Sequence, residues 1–380
     1  MPKYVTGQSG KTSFRSYTMC EIQVRTDRGF YYDTETIHGV VYVNVKGAIS
    51  ARGINIHVLG IESCMYCNLA AECDDKSRLI KSSNLFLKSA QTSLFKFKGP
   101  MPKGSYAFPF RIEAPTIVNN SFHDSVRQGE TRWEAHVKYF VEAFLAEDDT
   151  VFGRQEVLIY PVIDSEVPPS AVKCITATMA IPILKKDTGM VVVASVDKVA
   201  YTTSDTIKLK IQVQPPTKRG ITIKDLDVEL LRDVTVTMDR CLDECENQSC
   251  RKCVIREEFD ISPHKGAVPV WRSRVCQKER IDLKKENRIN VFIPLIEAGS
   301  SLPSTTCTKH TISNYVIIVK MSLEKAAPCV LAIHGLQIYN VYNSEFLSWQ
   351  QPSWTAGATW MSGCNSVNVD KATLEAIGLL

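Results

Sequence analysis

The sequence predicts an all-β protein built from two tandem antiparallel, immunoglobulin-like β-sandwich domains. Three observations predict it: short segments rich in Val, Ile, Tyr and Phe alternate apolar and polar residues with period two, helical periodicity is scarce, and the second half repeats the order of the first. At 380 residues the chain has the length of two domains that can each bury a core.

The alternating segments are Ile37–Val45, Ile54–Val58, Val137–Leu145, Glu156–Val162, Ile207–Val213, Leu226–Val236 and Tyr315–Leu323. Period two sets one face of each toward a core and the other toward water, as in antiparallel sheets, and turn residues between many short strands point to sandwiches. The best helical patterns are Lys371–Leu380 and a short stretch near Ser77–Lys88. Tyr31–Ile37 reads like Tyr201–Ile207, each followed by an alternating strand (Val41–Val45 and Leu209–Val213), Ile54–Val58 like Leu226–Leu230, and Tyr139–Ala143 like Tyr315–Val319. The order is kept at a slowly drifting offset of roughly 170 residues, the mark of a duplicated domain rather than a short-period solenoid.

This organisation gives an N-terminal extension over 1–17, a first sandwich over 18–167, a linker over 168–176 at Pro168-Pro169, a second sandwich over 177–343 and a tail over 344–380. The polar tail is expected to be mobile. It carries Trp349, Trp354 and Trp360, three of the five tryptophans, which suit docking of part of it on a domain or a partner.

Composition excludes several classes. A net charge of +4 names no partner, and a pI near 8.3 without stacking platforms argues against nucleic acid. No apolar stretch suits a signal peptide or a membrane span. Thirteen cysteines without an export signal fit reduced thiols and a cytosolic setting.

Pro102, Gly104, Phe108, Pro109 and Phe110 spell the P-x-G-x-x-x-F-P-F strand that resembles the arrestin superfamily. The pattern has its own physical sense. Gly104 permits a turn, Phe108 and Phe110 enter a core on alternate positions, and Pro109 suits an edge lacking a ladder donor. Ser121-Phe122 and His136–Phe144 follow as in the family's next strand, and Tyr32–Val41 resembles its opening strand, with Thr34 where glycine is usual. Asn119-Asn120 replaces a usual proline-serine pair. The resemblance covers about residues 18–342 and implies two concave sandwiches joined by a short hinge. It also implies a non-enzymatic adaptor in membrane-protein trafficking, endocytosis or signalling that binds cytoplasmic tails of cargo or receptors and meets trafficking machinery. The setting implied is the cytoplasm, peripheral at the plasma membrane or endosomes. The alternative within the fold is an endosomal sorting-coat subunit of the retromer type. No Pro-Pro-x-Tyr occurs. The end, Glu375 with Leu379 and Leu380, fits an acidic dileucine sorting motif or an ordinary amphipathic chain end.

Between residues 76 and 103 the sequence has seven bases, Lys76, Arg78, Lys81, Lys88, Lys96, Lys98 and Lys103, and no acid. Interleaved with apolar anchors, they can face phosphates of a modified tail or acidic lipid, or form a plain solvated face. Cys241, Cys245, Cys250 and Cys253 offer four thiolates for zinc, though their short middle spacer is atypical; Cys64, Cys67 and Cys73 form a weaker triplet. Catalytic signatures are missing. A metal-dependent hydrolase on the Cys241–Cys253 cluster is the enzyme alternative, and the adaptor reading calls for no cofactor. His57 and His136, on alternating strands, read as structural.

Overall fold

A computed structural model describes residues 19–47, 49–68, 79–116, 119–128, 130–161, 176–181, 190–214, 222–241, 254–260, 268–274, 281–282, 288–296, 302–323 and 328–361. In the first half the strands are β1 (Cys20–Thr26), β2 (Phe30–Tyr32), β3 (Thr36–Val45), β4 (Gly53–Asn68), β5 (Leu79–Lys88), β6 (Thr92–Lys96), β7 (Gly104–Glu113), β8 (Phe122–Gln128), β9 (Thr131–Leu145) and β10 (Asp148–Tyr160). They form one sheet in the order β1-β3-β7 and a second in the order β2-β10-β9-β4-β5, with β6 also on β4 and β8 on β9.

Alternation explains the stacking. Ile54, Ile56 and Val58 of β4, Tyr139, Val141 and Ala143 of β9, and Val41 and Val43 of β3 meet Phe108 and Phe110 of β7 in one buried core. Pro109 lies opposite Val40. It is two residues beyond Ala107, whose carbonyl accepts from Met361 at the sheet edge, so its missing N–H faces that edge and costs no ladder bond.

The second half places β11 (Thr176–Ile181), β12 (Met190–Val196), β14 (Thr206–Gln214) and β19 (Arg288–Pro294) in one sheet. The facing sheet contains β13 (Ala200–Thr202), β22 (Cys329–Tyr339), β21 (Thr311–Leu323), β15 (Thr222–Cys241) and β16 (Val254–Asp260). β17 (Val268–Arg274) and β18 (Ile281–Asp282) pair with β15, and β20 (Thr306–Cys307) with β21. The second core gathers Leu209, Ile211, Val228, Leu230, Ile317 and Val319, among others. The expected architecture of two all-β sandwiches is thus present.

The internal repeat reaches individual hydrogen bonds. Tyr31 donates its hydroxyl to Asp27 and accepts from the Arg28 amide, and Tyr201 does the same with Asp197 and the Lys198 amide. The Tyr32 amide donates to Glu35 at 2.9 Å and the Thr202 amide to Asp205 at 2.9 Å. Further on, the Tyr139 hydroxyl binds the Asn119 carbonyl and that of Tyr315 the Pro303 carbonyl. Thr34, where the resembling families carry glycine, adopts φ +62°, a left-handed conformation costly for a β-branched residue.

One expectation is corrected. The stretch near Ser77–Lys88 is a strand over its described part, β5, which pairs with β4 from Leu79↔Cys67 to Lys88↔Leu59. A helix there would leave the β4 backbone groups without partners along this edge. The other helical candidate, Lys371–Leu380, lies outside the described residues.

The tail expected to be mobile takes a defined path over residues 343–361. Asn343 caps α1 (Ser344–Ser348), a 3₁₀ turn covers Ser353–Gly357, and β23 (Thr359–Trp360) joins the first sheet parallel to β7. The strap thereby crosses the outer face of the β1-β3-β7 sheet.

Candidate functional site

Three features of this frame can serve a binding protein: a lysine-bearing edge, a polar junction between the sandwiches, and the tail strap. The edge belongs to the larger sheet of the first sandwich. There β6 and β5 follow one another along β4, β6 opposite Gly53–Ile56 and β5 opposite Leu59–Cys67. Phe95 and Phe97 pack on the core and against Phe108, with ring centroids 5.6 and 6.4 Å from it. Strand alternation therefore turns Lys96 and Lys98 outward. Lys81, Lys88, Lys96, Lys98 and Lys103 are all exposed. None has an ion-pair partner among the described residues. Lys76 and Arg78 lie outside the described residues.

The junction is where the second half closes on the first. Glu62 of β4, 1% exposed, accepts hydrogen bonds from the Thr308 hydroxyl and from the His310 amide, the latter at 3.0 Å. The Asn120 amide donates to the Thr305 carbonyl at 2.7 Å, and the Thr306 hydroxyl donates to the Asn120 carbonyl at 3.3 Å. The Tyr160 hydroxyl donates to the Asn340 carbonyl and lies 3.2 Å from Ser304 Oγ. Asp124 of β8 meets Arg232 of β15 at 3.1 Å, both largely buried. Burial pushes the Asp124 carboxyl above its ordinary range, with Arg232 pulling the other way. Val234 and Val236 of β15 complete the contact by entering the core of the first sandwich.

The strap is held at both ends. The Asn343 side chain donates to the Gly29 and Glu156 carbonyls, both at 3.1 Å. Arg25 of β1 donates to the Phe346 carbonyl at 2.9 Å, with its guanidinium 3.8 Å from the Phe346 ring centroid and 4.7 Å from that of Trp349. Farther along, Trp354 packs edge-on to Tyr42 and, with Ala358, closes over Val40, Tyr42 and Ala107. Trp354→Ala is expected to uncover this patch, lower stability by about 2 kcal/mol and speed proteolytic cleavage between Trp349 and Met361. An unchanged digestion pattern would show that the strap is held without Trp354.

The cysteine candidates divide. Cys64 is buried beside Thr311 Oγ1 at 3.4 Å, and burial pushes its thiol up to about 11, so it packs the junction as a neutral thiol. Cys67 is half-buried. Cys73, Cys245, Cys250 and Cys253 lie outside the described residues, and Cys241 is described only as the last residue of β15. Glu375, Leu379 and Leu380 also lie outside them. Sequence reasoning missed Glu62, Asp124 and Arg232, since nothing local marks residues whose partners arrive from the other half of the chain. The signal for the strap was present: Gly39–Val43 is buried without a break, and an unbroken apolar run implies a sheet covered on both faces.

No helix among the described residues is long and apolar enough to cross a membrane. No curated protein matches the sequence significantly. The family model described as Arrestin (or S-antigen), N-terminal domain, matches residues 20–166, a span from β1 past the end of β10. The match identifies the first sandwich, residues 20–166, as an arrestin N-terminal-type domain, and the second all-β sandwich repeats its turns and tyrosine bonds.

Proposed function

We propose that this protein is a non-enzymatic adaptor that binds the cytoplasmic tails of membrane proteins, with phosphorylated or acidic tail segments lying along the β5–β6 edge. The observation that carries this reading is the run of five exposed lysines, Lys81, Lys88, Lys96, Lys98 and Lys103, without an acidic partner among the described residues. Lys96 and Lys98, held outward by the half-buried Phe95 and Phe97 that pack on the core, present ammonium groups to phosphate or carboxylate oxygens, and charge-assisted hydrogen bonds are among the stronger polar contacts. On this reading the sandwiches, divided at Pro168-Pro169, are 18–167 and 177–343. The protein then works in the cytoplasm, at the plasma membrane or endosomes, with trafficking machinery as its second partner.

Fluorescence anisotropy with an acidic peptide carrying several phosphoserines tests the proposal. The triple variant Lys96→Gln, Lys98→Gln, Lys103→Gln is expected to bind at least about tenfold more weakly at low salt, and rising ionic strength should erase the difference. Equal binding by the triple variant sinks the tail-binding edge. Capture of vesicles containing acidic lipid, with no peptide binding, would assign the lysines to a membrane surface instead.

A further inference from the structure

On the outer face of the first sandwich, His123 of β8 stands directly opposite His136 of β9. Glu134, two residues before His136, shares its face, because Trp133, Ala135 and Val137 turn inward. Glu134 Oε1 lies 3.9 Å from His123 Nε2 and 3.9 Å from His136 Nδ1. One ligand atom from each of the three residues falls within 4.8 Å of the others. On its other side His136 is fixed by β4, where Ser63 Oγ hydrogen-bonds Nε2. That bond commits Nε2 and leaves Nδ1 facing the cluster. Nδ1 is buried and has no hydrogen-bond partner among the described residues, an unfavourable state unless something fills it.

We propose that His123, Glu134 and His136 bind a divalent transition-metal cation of the zinc type, with Ser63 as the positioning residue for the His136 ring and a fourth coordination position open to water. Two imidazoles and one carboxylate suit Zn²⁺, Ni²⁺ or Cu²⁺ rather than Mg²⁺ or Ca²⁺, which take oxygen ligands. Tetrahedral bonds of about 2.0–2.2 Å bring donors to roughly 3.3 Å from one another. The 3.9 Å pairs therefore close by about half an ångström and the remaining pair, within 4.8 Å, by at most about 1.5 Å; the His123 side chain, 62% exposed, and the Glu134 side chain beside it make those moves toward the fixed His136 ring. The nearby cations do not compete for the site. Arg132 lies 3.4 Å from the other carboxylate oxygen of Glu134, and Lys138 is taken by Glu156 at 2.7 Å. The bound ion would pin β8 to β9 next to Asp124, the residue through which β8 meets the second sandwich.

Titration of the full chain with Co²⁺, read by visible absorption, tests this apart from the cysteine-rich segment. Cobalt on imidazole and carboxylate shows weak d–d bands, whereas cobalt on thiolate adds an intense near-ultraviolet charge-transfer band. One Co²⁺ without thiolate character is expected, displaced by Zn²⁺. His123→Ala and Glu134→Gln should each lower its affinity well over tenfold, and Ser63→Ala about tenfold or more. Both first variants alter side chains on the outer face, and far-ultraviolet circular dichroism checks that they fold. A spectrum that is wholly thiolate in character, no bound cobalt, or undiminished affinity in folded His123→Ala and Glu134→Gln would each overturn the proposal.

Discussion

Arg232→Met is expected to lower the unfolding free energy by about 3–5 kcal/mol at neutral pH, because it strands the Asp124 carboxylate in the junction between the sandwiches. Arg232 and Asp124 are 15% and 9% exposed, so water recovers little of the lost pairing. The sign of the pH dependence follows from Asp124. Its folded pKa is raised above the unfolded value by burial, so the folded state holds the proton more tightly. Stability therefore falls as pH rises from the ordinary carboxylate value through the raised one. Removing Arg232, the group that opposes the rise, extends that window upward. Part of the loss should return at mildly acidic pH, where Asp124 takes up its proton. Adding Asp124→Asn should recover most of the loss at neutral pH, since a neutral pair has no stranded charge. Denaturant unfolding of the wild type, the single variant and the double variant at neutral and acidic pH measures this. A single variant as stable as the wild type would mean that Asp124 is hydrated rather than buried.

Phe108→Ala is expected to cost a further independent 3–5 kcal/mol or so. Phe108 is 1% exposed and lies at the meeting point of four rings, with Phe95, Phe97 and Tyr106 centroids 5.6, 6.4 and 6.2 Å away. Removing it opens a cavity between the two sheets and loosens Phe95 and Phe97, the anchors that turn Lys96 and Lys98 outward. Affinity for the phosphopeptide should therefore fall along with stability. Phe108→Leu keeps most of the volume and should cost about 1–2 kcal/mol. Comparable unfolding midpoints for the alanine and leucine variants would show that the cluster collapses around the gap.

What the sequence made legible is what side chains write locally. Alternation in β4, β9, β14 and β21 and the Phe108-Pro109-Phe110 strand specify two sandwiches because each inward residue has to be apolar. Thr34 was legible as an oddity, and its φ of +62° shows what glycine would have relieved. Asn120 was visible as a departure from the family pattern, but its purpose is a hydrogen bond to Thr305, 185 residues away, and no local pattern encodes a partner at that distance. His136 reads as structural in the sequence, and nothing local marks His123, because only the β8–β9 register sets the two face to face. The stretch near Ser77–Lys88 misled because its apolar residues fit either period until pairing with β4 decides between them.

The strap has a consequence for biosynthesis. The patch of Val40, Tyr42 and Ala107 that it covers is complete once β7 has emerged, whereas Trp354 and Met361 follow about 250 residues later. At the ribosome's roughly 5–20 residues per second, the nascent first sandwich carries a bare apolar face for some tens of seconds. Over that interval it is a substrate for chaperones and for neighbouring nascent chains, and synthesis of the strap ends it.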